Sequence, residues 1–217
     1  MDLKGKKVAF LGDSITEGCA ASSAERIYHQ VIKADLGLGS ALNYGVGGTR
    51  IAPQHDKDSD MYPENFIIRA DKLPADADYV FVFGGTNDYG HGDAPVGTLL
   101  DNGTDTFCGA VKTLLIKLVN RYGKDKIVVM TPLHRRNDKS PSGEGTRKNG
   151  APLKIFVDII KEIAEKEGLR VIDLFGESAL DPNDDEINAK YFADGLHPND
   201  AGHNLLAKTI EKATANM

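Results

Sequence analysis
Short apolar runs alternate five times along this chain with longer stretches whose apolar residues recur at helical spacing. The first run, Val8-Ala9-Phe10-Leu11, stops abruptly at Gly12-Asp13-Ser14-Ile15-Thr16. Such a run, unbroken and closed by glycine, reads as a strand buried on both faces, as in a parallel sheet. Ser22 and Glu25 have the spacing of a capping box, and Ile27, Val31 and Ile32 share a face, which predicts a helix over Ser23 to Asp35. Ala41 to Tyr44 is the second strand, closed by Gly45-Val46-Gly47-Gly48-Thr49. Ile51 to Glu64 is a polar loop. Asp78 to Phe83, aromatic and β-branched, is the third strand and stops at Gly84-Gly85-Thr86-Asn87-Asp88. Tyr89 to Asp105 reads as loop, and Thr106 to Arg121 as a helix with Phe107, Val111, Leu114, Leu115 and Leu118 on its apolar face. Ile127 to Met130 is the fourth strand and His134 to Gly150 a long irregular connection. A helix over Pro152 to Glu167 carries Ile155, Phe156, Ile159, Ile160 and Ile163; the fifth strand is Leu169 to Leu174. An acidic loop around Pro182-Asn183-Asp184-Asp185 leads to Asp194-Gly195-Leu196-His197-Pro198 and a last helix from about Asn199.

Strands alternating with helices predict one three-layer α/β domain over residues 1–217 with a parallel sheet and right-handed crossovers. Strand order cannot be read from periodicity. The 217 residues leave ample length for a core. A net charge of −6 and a pI near 5.5 give no electrostatic case for nucleic acid or an anionic membrane as partner. No apolar stretch approaches the roughly 20 residues of a spanning helix. The charged start, Met1 to Lys7, lacks an apolar signal region, so the cytoplasm is the expected compartment. Cys19 and Cys108 have no metal-like spacing and read as free thiols, buried or partly buried. His55, Asp56, Asp58 and Asp60 are consecutive polar residues of a solvated loop rather than convergent ligands, and no metal or cofactor is expected.

Candidate chemistry gathers where the strands end. In open α/β sheets ligands bind beyond the carboxyl ends of the strands, and Ser14 stands at that rim. Taken alone, Asp13 and Ser14 fit a capping turn as well as a reactive one. Three residues apart in a turn, Asp194 can hold one nitrogen of His197 and leave the other free. Pro198 biases His197 toward an extended conformation and suits the first turn of the next helix. An imidazole so oriented is the general base that a serine hydroxyl, a weak nucleophile near neutral pH, requires. Acyl transfer also needs donors for an oxyanion. The backbone N–H groups of Ser14 and Gly48 and the side-chain amide of Asn87 lie at the same rim.

These blocks, Gly12-Asp13-Ser14-Ile15-Thr16, Asn43-Tyr44-Gly45-Val46-Gly47-Gly48, Gly84-Gly85-Thr86-Asn87-Asp88 and Asp194-Gly195-Leu196-His197-Pro198, resemble in order the four blocks of the SGNH hydrolases, or GDSL esterases/lipases. Ile15 stands where the family's nickname has Leu. The resemblance implies Ser14 as nucleophile, His197 as base, Asp194 as its orienter, and Ser14, Gly48 and Asn87 as oxyanion donors. Gly48 is preferred to Gly47 because the family's donor usually lies five residues after the Asn of that block. The resemblance further implies a flavodoxin-like sheet of five parallel strands in the order 2-1-3-4-5. The expected activity is hydrolysis of short-chain acyl or acetyl esters, including those of carbohydrates, through an acyl-serine. The basic residues Arg135, Arg136, Lys139, Arg147 and Lys148 would suit a hydroxyl-rich or anionic leaving group, and their loop, His134 to Gly150, fits a lid or substrate-selecting loop and a merely solvated loop equally. The alternatives are an acyltransferase with the same residues and a flavodoxin-like domain that binds an anion or sugar without catalysis. A binder has no use for Asn87 or for the Asp194–His197 pair. Oligomeric state is not legible.

Overall fold
The computed structural model describes residues 1–56, 64–141 and 150–217. Strands β1 (Lys7–Gly12), β2 (Ser40–Gly45), β3 (Tyr79–Phe83), β4 (Ile127–Met130) and β5 (Arg170–Ile172) form one parallel sheet in the order β2-β1-β3-β4-β5. Gly12 pairs with Gly45 on one side and Phe83 on the other, so three strands end level and their exits share one rim.

Helices cover both faces, which is why the strands read as continuous apolar runs. Among the described residues they are α1 (Ser14–Glu17), α2 (Tyr28–Leu36), α3 (Phe66–Arg69), α4 (Thr86–His91), α5 (Phe107–Tyr122), α6 (Leu153–Lys166), α7 (Leu174–Glu177), α8 (Asp185–Tyr191) and α9 (Asp200–Ala215). The pleat sends alternate side chains to opposite layers. Ala9, Leu11, Val80 and Val82 join Leu114 of α5 and Phe156 and Ile160 of α6 in one cluster. Val8, Phe10, Phe81 and Val128 join Ile32 of α2 and Leu206 and Ile210 of α9 in the other. The three layers and strand order are those expected.

The local differences have physical causes. The helix expected over Ser23 to Asp35 is a 3₁₀ turn, Ala24–Arg26, followed by α2. Ser22 does not cap it: its N–H and hydroxyl both go to the Asp200 carboxylate, at 2.8 and 2.6 Å. The fifth strand stops at Ile172 because Asp173 turns the chain, its carboxylate accepting the Gly176 N–H to start α7. The acidic loop around Pro182 to Asp185 is a turn that leads into α8, whose first amides, on Glu186 and Ile187, bond the Asp184 side chain. Part of the loop expected after Asp88 is α4. Asn199 caps α9 by accepting from the Gly202 N–H, so Pro198 precedes the cap instead of lying in the first turn. Asp58, Asp60, Arg147 and Lys148 lie outside the described residues. Among the described residues no helix is long and apolar enough to cross a membrane.

Candidate active site
The site begins where β1 ends. Asp13, at the N-cap of α1, accepts the Ile15 N–H at 3.0 Å, and this bond starts the helix directly on the sheet's rim. Ser14 is therefore the first residue of α1. Burial pushes the Asp13 carboxyl up to about 6, against the Ile15 N–H and the nearby His197 and Arg69, which work to lower it. The end of β2 packs on α1 so closely that a Cβ on Gly45 would lie 2.0 Å from the Glu17 nitrogen. Only glycine fits there.

The imidazole arrives from the far end of the chain. Between α8 and α9 the backbone folds back on itself, Phe192 bridging Pro198 and the Ala193 N–H donating to the His197 carbonyl at 2.9 Å. Within this turn one oxygen of Asp194 accepts the Leu196 and His197 N–H groups, at 3.0 and 2.8 Å. Its other oxygen is 2.7 Å from His197 Nδ1. Desolvation works to raise the Asp194 pKa. The hydrogen bonds from the His197 backbone, the His197 ring and Leu196 outweigh it and hold the carboxyl below its ordinary range. With Nδ1 engaged, His197 Nε2 points to Ser14 Oγ at 2.9 Å, across 183 residues of sequence.

The loop after β2 forms the opposite wall. The Val46 N–H donates to the Gly12 carbonyl at 3.1 Å, and the Thr49 hydroxyl to the Val46 carbonyl at 2.7 Å. Gly48 lies between at φ +72°, a left-handed conformation natural to glycine. The Gly47 N–H is taken by a Glu17 carboxylate oxygen at 2.8 Å. Asn87, the second residue of α4, is buried and donates from Nδ2 to the Thr49 carbonyl at 3.0 Å. Asp88 accepts the Ile51 and Ala52 N–H groups, one on each oxygen, at 2.9 Å. Burial raises the Asp88 carboxyl to about 6, although those two amides and Arg50 work to lower it. Ser14, His197 and Asp194 thus come together, and Asn87 holds the residue next to Gly48.

A family model described as GDSL-like lipase/acylhydrolase matches residues 10–205, nearly the whole chain and all four blocks. The chain belongs to that family. GDSL-like acylhydrolases act on ester bonds, and small esters are the substrates the family implies. The same architecture occurs in the crystal structure of a Lactobacillus plantarum protein, 28% identical, at a TM-score of 0.84 over 98% of both chains. A lipase/acylhydrolase from Enterococcus faecalis, 20% identical, superposes at 0.63 over 97% of this chain and 96% of its own. A Veillonella parvula member of the lipolytic G-D-S-L family, also 20% identical, reaches 0.64 over 97% and 99%. No functionally curated protein matches the chain in sequence.

Around this GDSL site, several expected features have other employment. Arg135 is buried and donates to the Thr86 carbonyl at 3.1 Å, its guanidinium lying 5.6 Å from the Tyr89 ring. Arg136 pairs with Asp185 at 2.6 Å. Both are engaged within the protein, which weakens the case for a basic surface receiving an anionic leaving group. The His55 and Asp56 N–H groups donate to the Asp93 carboxylate, both at 2.8 Å. Cys19 and Cys108 are free, but Cys19 is exposed instead of buried, with its N–H on the Ser14 carbonyl at 2.9 Å. Among the described residues, atoms of His134, Asp138 and Asp181 that could ligate a metal lie within 4.8 Å of one another. Hydrogen bonds already close that group: His134 Nδ1 is 2.5 Å from Asp138, and Asn183 Nδ2 donates to both carboxylates.

Sequence reasoning did not single out Arg69. It is buried in α3, donating to the Thr49 hydroxyl at 2.7 Å, the Gly12 carbonyl at 2.9 Å and the Tyr44 carbonyl. The only available signal was a lone cation in Phe66-Ile67-Ile68-Arg69-Ala70, a segment otherwise apolar.

Proposed function
We propose that this GDSL acylhydrolase is a serine esterase in which Ser14 is the nucleophile, His197 the general base and Asp194 the group that orients it. The observation that carries the reading is the hydrogen-bonded series Asp194–His197–Ser14, at 2.7 and 2.9 Å. Ser14 Oγ adds to the ester carbonyl carbon while His197 Nε2 accepts the hydroxyl proton. The carbonyl oxygen becomes an oxyanion. Its donors are the Ser14 N–H, the Gly48 N–H and Asn87 Nδ2; the commitment of the Gly47 N–H to Glu17 supports Gly48 over its neighbour. Collapse breaks the bond to the alcohol oxygen, which leaves with the proton from His197. Water, deprotonated by the same imidazole, then releases the acid and restores Ser14.

Short acyl esters, acetylated carbohydrates among them, are the substrates this reading favours, because the neighbours beside Ser14 are small or polar: a Cβ on Gly47 would lie 3.6 Å from Ser14 Cβ and 2.8 Å from Glu17 Oε2. Purified protein is expected to hydrolyse p-nitrophenyl esters, with rates falling as the acyl chain lengthens, and to be labelled by a fluorophosphonate. Ser14→Ala is expected to lose turnover and labelling while its circular dichroism stays that of the parent. Full activity in that variant would exclude the mechanism.

A further inference from the structure
Arg69 is 3% exposed, its guanidinium packed 5.0 Å from the centre of the Phe66 ring. Burying a cation costs several kcal/mol unless its donors are matched. Here they are matched by three acceptors on three segments: the Gly12 carbonyl at the end of β1, the Tyr44 carbonyl near the end of β2, and the Thr49 hydroxyl in the following loop. Burial lowers its pKa only to about 10, so the guanidinium stays charged at neutral pH.

Two of those acceptors adjoin the reacting groups. Gly12 is two residues before Ser14, and Thr49 is one after Gly48. The Thr49 carbonyl is held in turn by Asn87 Nδ2 at 3.0 Å, so that residue is fixed from two sides. A guanidinium is a rigid planar fork, so groups bonded to its two NH₂ ends cannot shift independently. We propose that Arg69 is a positioning residue: by joining Gly12 to Thr49 it fixes the distance between the Ser14 hydroxyl and the N–H and amide donors that receive the oxyanion. It touches no substrate. The inference rests on the reading of Ser14 as nucleophile, and its value to catalysis follows from how steeply rates depend on placement of the donors.

The test is steady-state hydrolysis of p-nitrophenyl acetate by the wild type, Arg69→Met, Arg69→Lys and Thr49→Val, each normalised to sites titrated by fluorophosphonate. Removing an oxyanion donor outright costs about 10²–10³ in turnover. Displacing donors through Arg69→Met is expected to lower kcat per titrated site by about 10–100-fold, on that scale, while KM changes less than about threefold. Arg69→Lys recovers part of this, since one ammonium reaches fewer of the three acceptors. Thr49→Val, which removes only the hydroxyl, lowers kcat by a smaller factor. In an Asn87→Ala background, Arg69→Met adds little, because both side chains act through Thr49.

A kcat per titrated site unchanged in both Arg69→Met and Thr49→Val, or Arg69 and Asn87 losses that multiply independently, would overturn the positioning role. If Arg69→Met fails to fold, Thr49→Val alone and with Asn87→Ala decides by the same criteria. A wild type that neither titrates nor hydrolyses esters would fail the esterase reading itself and take this role with it. A wild type that does both, beside unaffected variants, fails the positioning role alone.

Discussion
His197 is held by both of its nitrogens, and the two bonds differ in what they can do. The Asp194 side fixes tautomer and ring plane; the Ser14 side is where a proton would move. On the proposed assignment, Asp194→Asn presents an amide where a carboxylate stood and favours the wrong tautomer. Turnover is expected to fall by about 10³–10⁴ with the fold intact, measured as kcat/KM on a short ester. Asn87→Ala should cost about 10²–10³ in kcat and leave KM nearly unchanged. All of these positions were legible in the sequence because each follows a strand or closes a turn, where small polar residues interrupt an apolar pattern. Arg69 and Asp88 were not legible as supports. Their work is done by burial and by bonds to backbone groups far away in sequence, and no periodicity records either.

The long elements were readable because α5, α6 and α9 each bury an apolar stripe, and the three central strands are apolar on both faces. The short ones were not. Helices α1, α3 and α7 have four residues each, too few for a helical period to show. They exist because a polar side chain, Asp13, Asn65 or Asp173, accepts an early N–H, and at α1 and α7 a strand has just ended. The capping spacing of Ser22 and Glu25 misled for the opposite reason: a distant partner, Asp200, claims Ser22. Capping also sets a prediction for α9. Asn199 accepts the Gly202 N–H at 3.1 Å and donates to the Lys190 carbonyl at 3.1 Å, just after His197. Asn199→Ala is expected to destabilise the protein by about 1 kcal/mol, read from urea unfolding. Unchanged stability would mean that solvent replaces the cap freely.

Over the whole molecule, four buried titratable groups oppose one another in acid. Burial holds His29 and His203 down to about 4, despite a hydrogen bond to each that works to raise them. Burial raises Asp13 and Asp88 to about 6. Unfolding lets the histidines take up protons between pH 6.5 and 4, which favours the unfolded state as pH falls. Unfolding lets the carboxyls lose protons between pH 6 and 3.8, which favours the folded state over nearly the same window. The two effects largely cancel. Asp13→Asn with Asp88→Asn should therefore uncover the histidine term, its melting temperature dropping more steeply than the parent's between pH 6.5 and 4. Parallel curves for the two proteins would refute this balance.

The 183-residue span between Ser14 and its imidazole has a consequence for biogenesis. During synthesis, at roughly 5–20 residues per second, Ser14 is added to the chain about 10–40 s before His197. On the proposed assignment, a nascent or truncated chain that stops short of His197 carries a dormant serine. Ester turnover should appear only once the last helix has docked, which makes it a clock for completed folding.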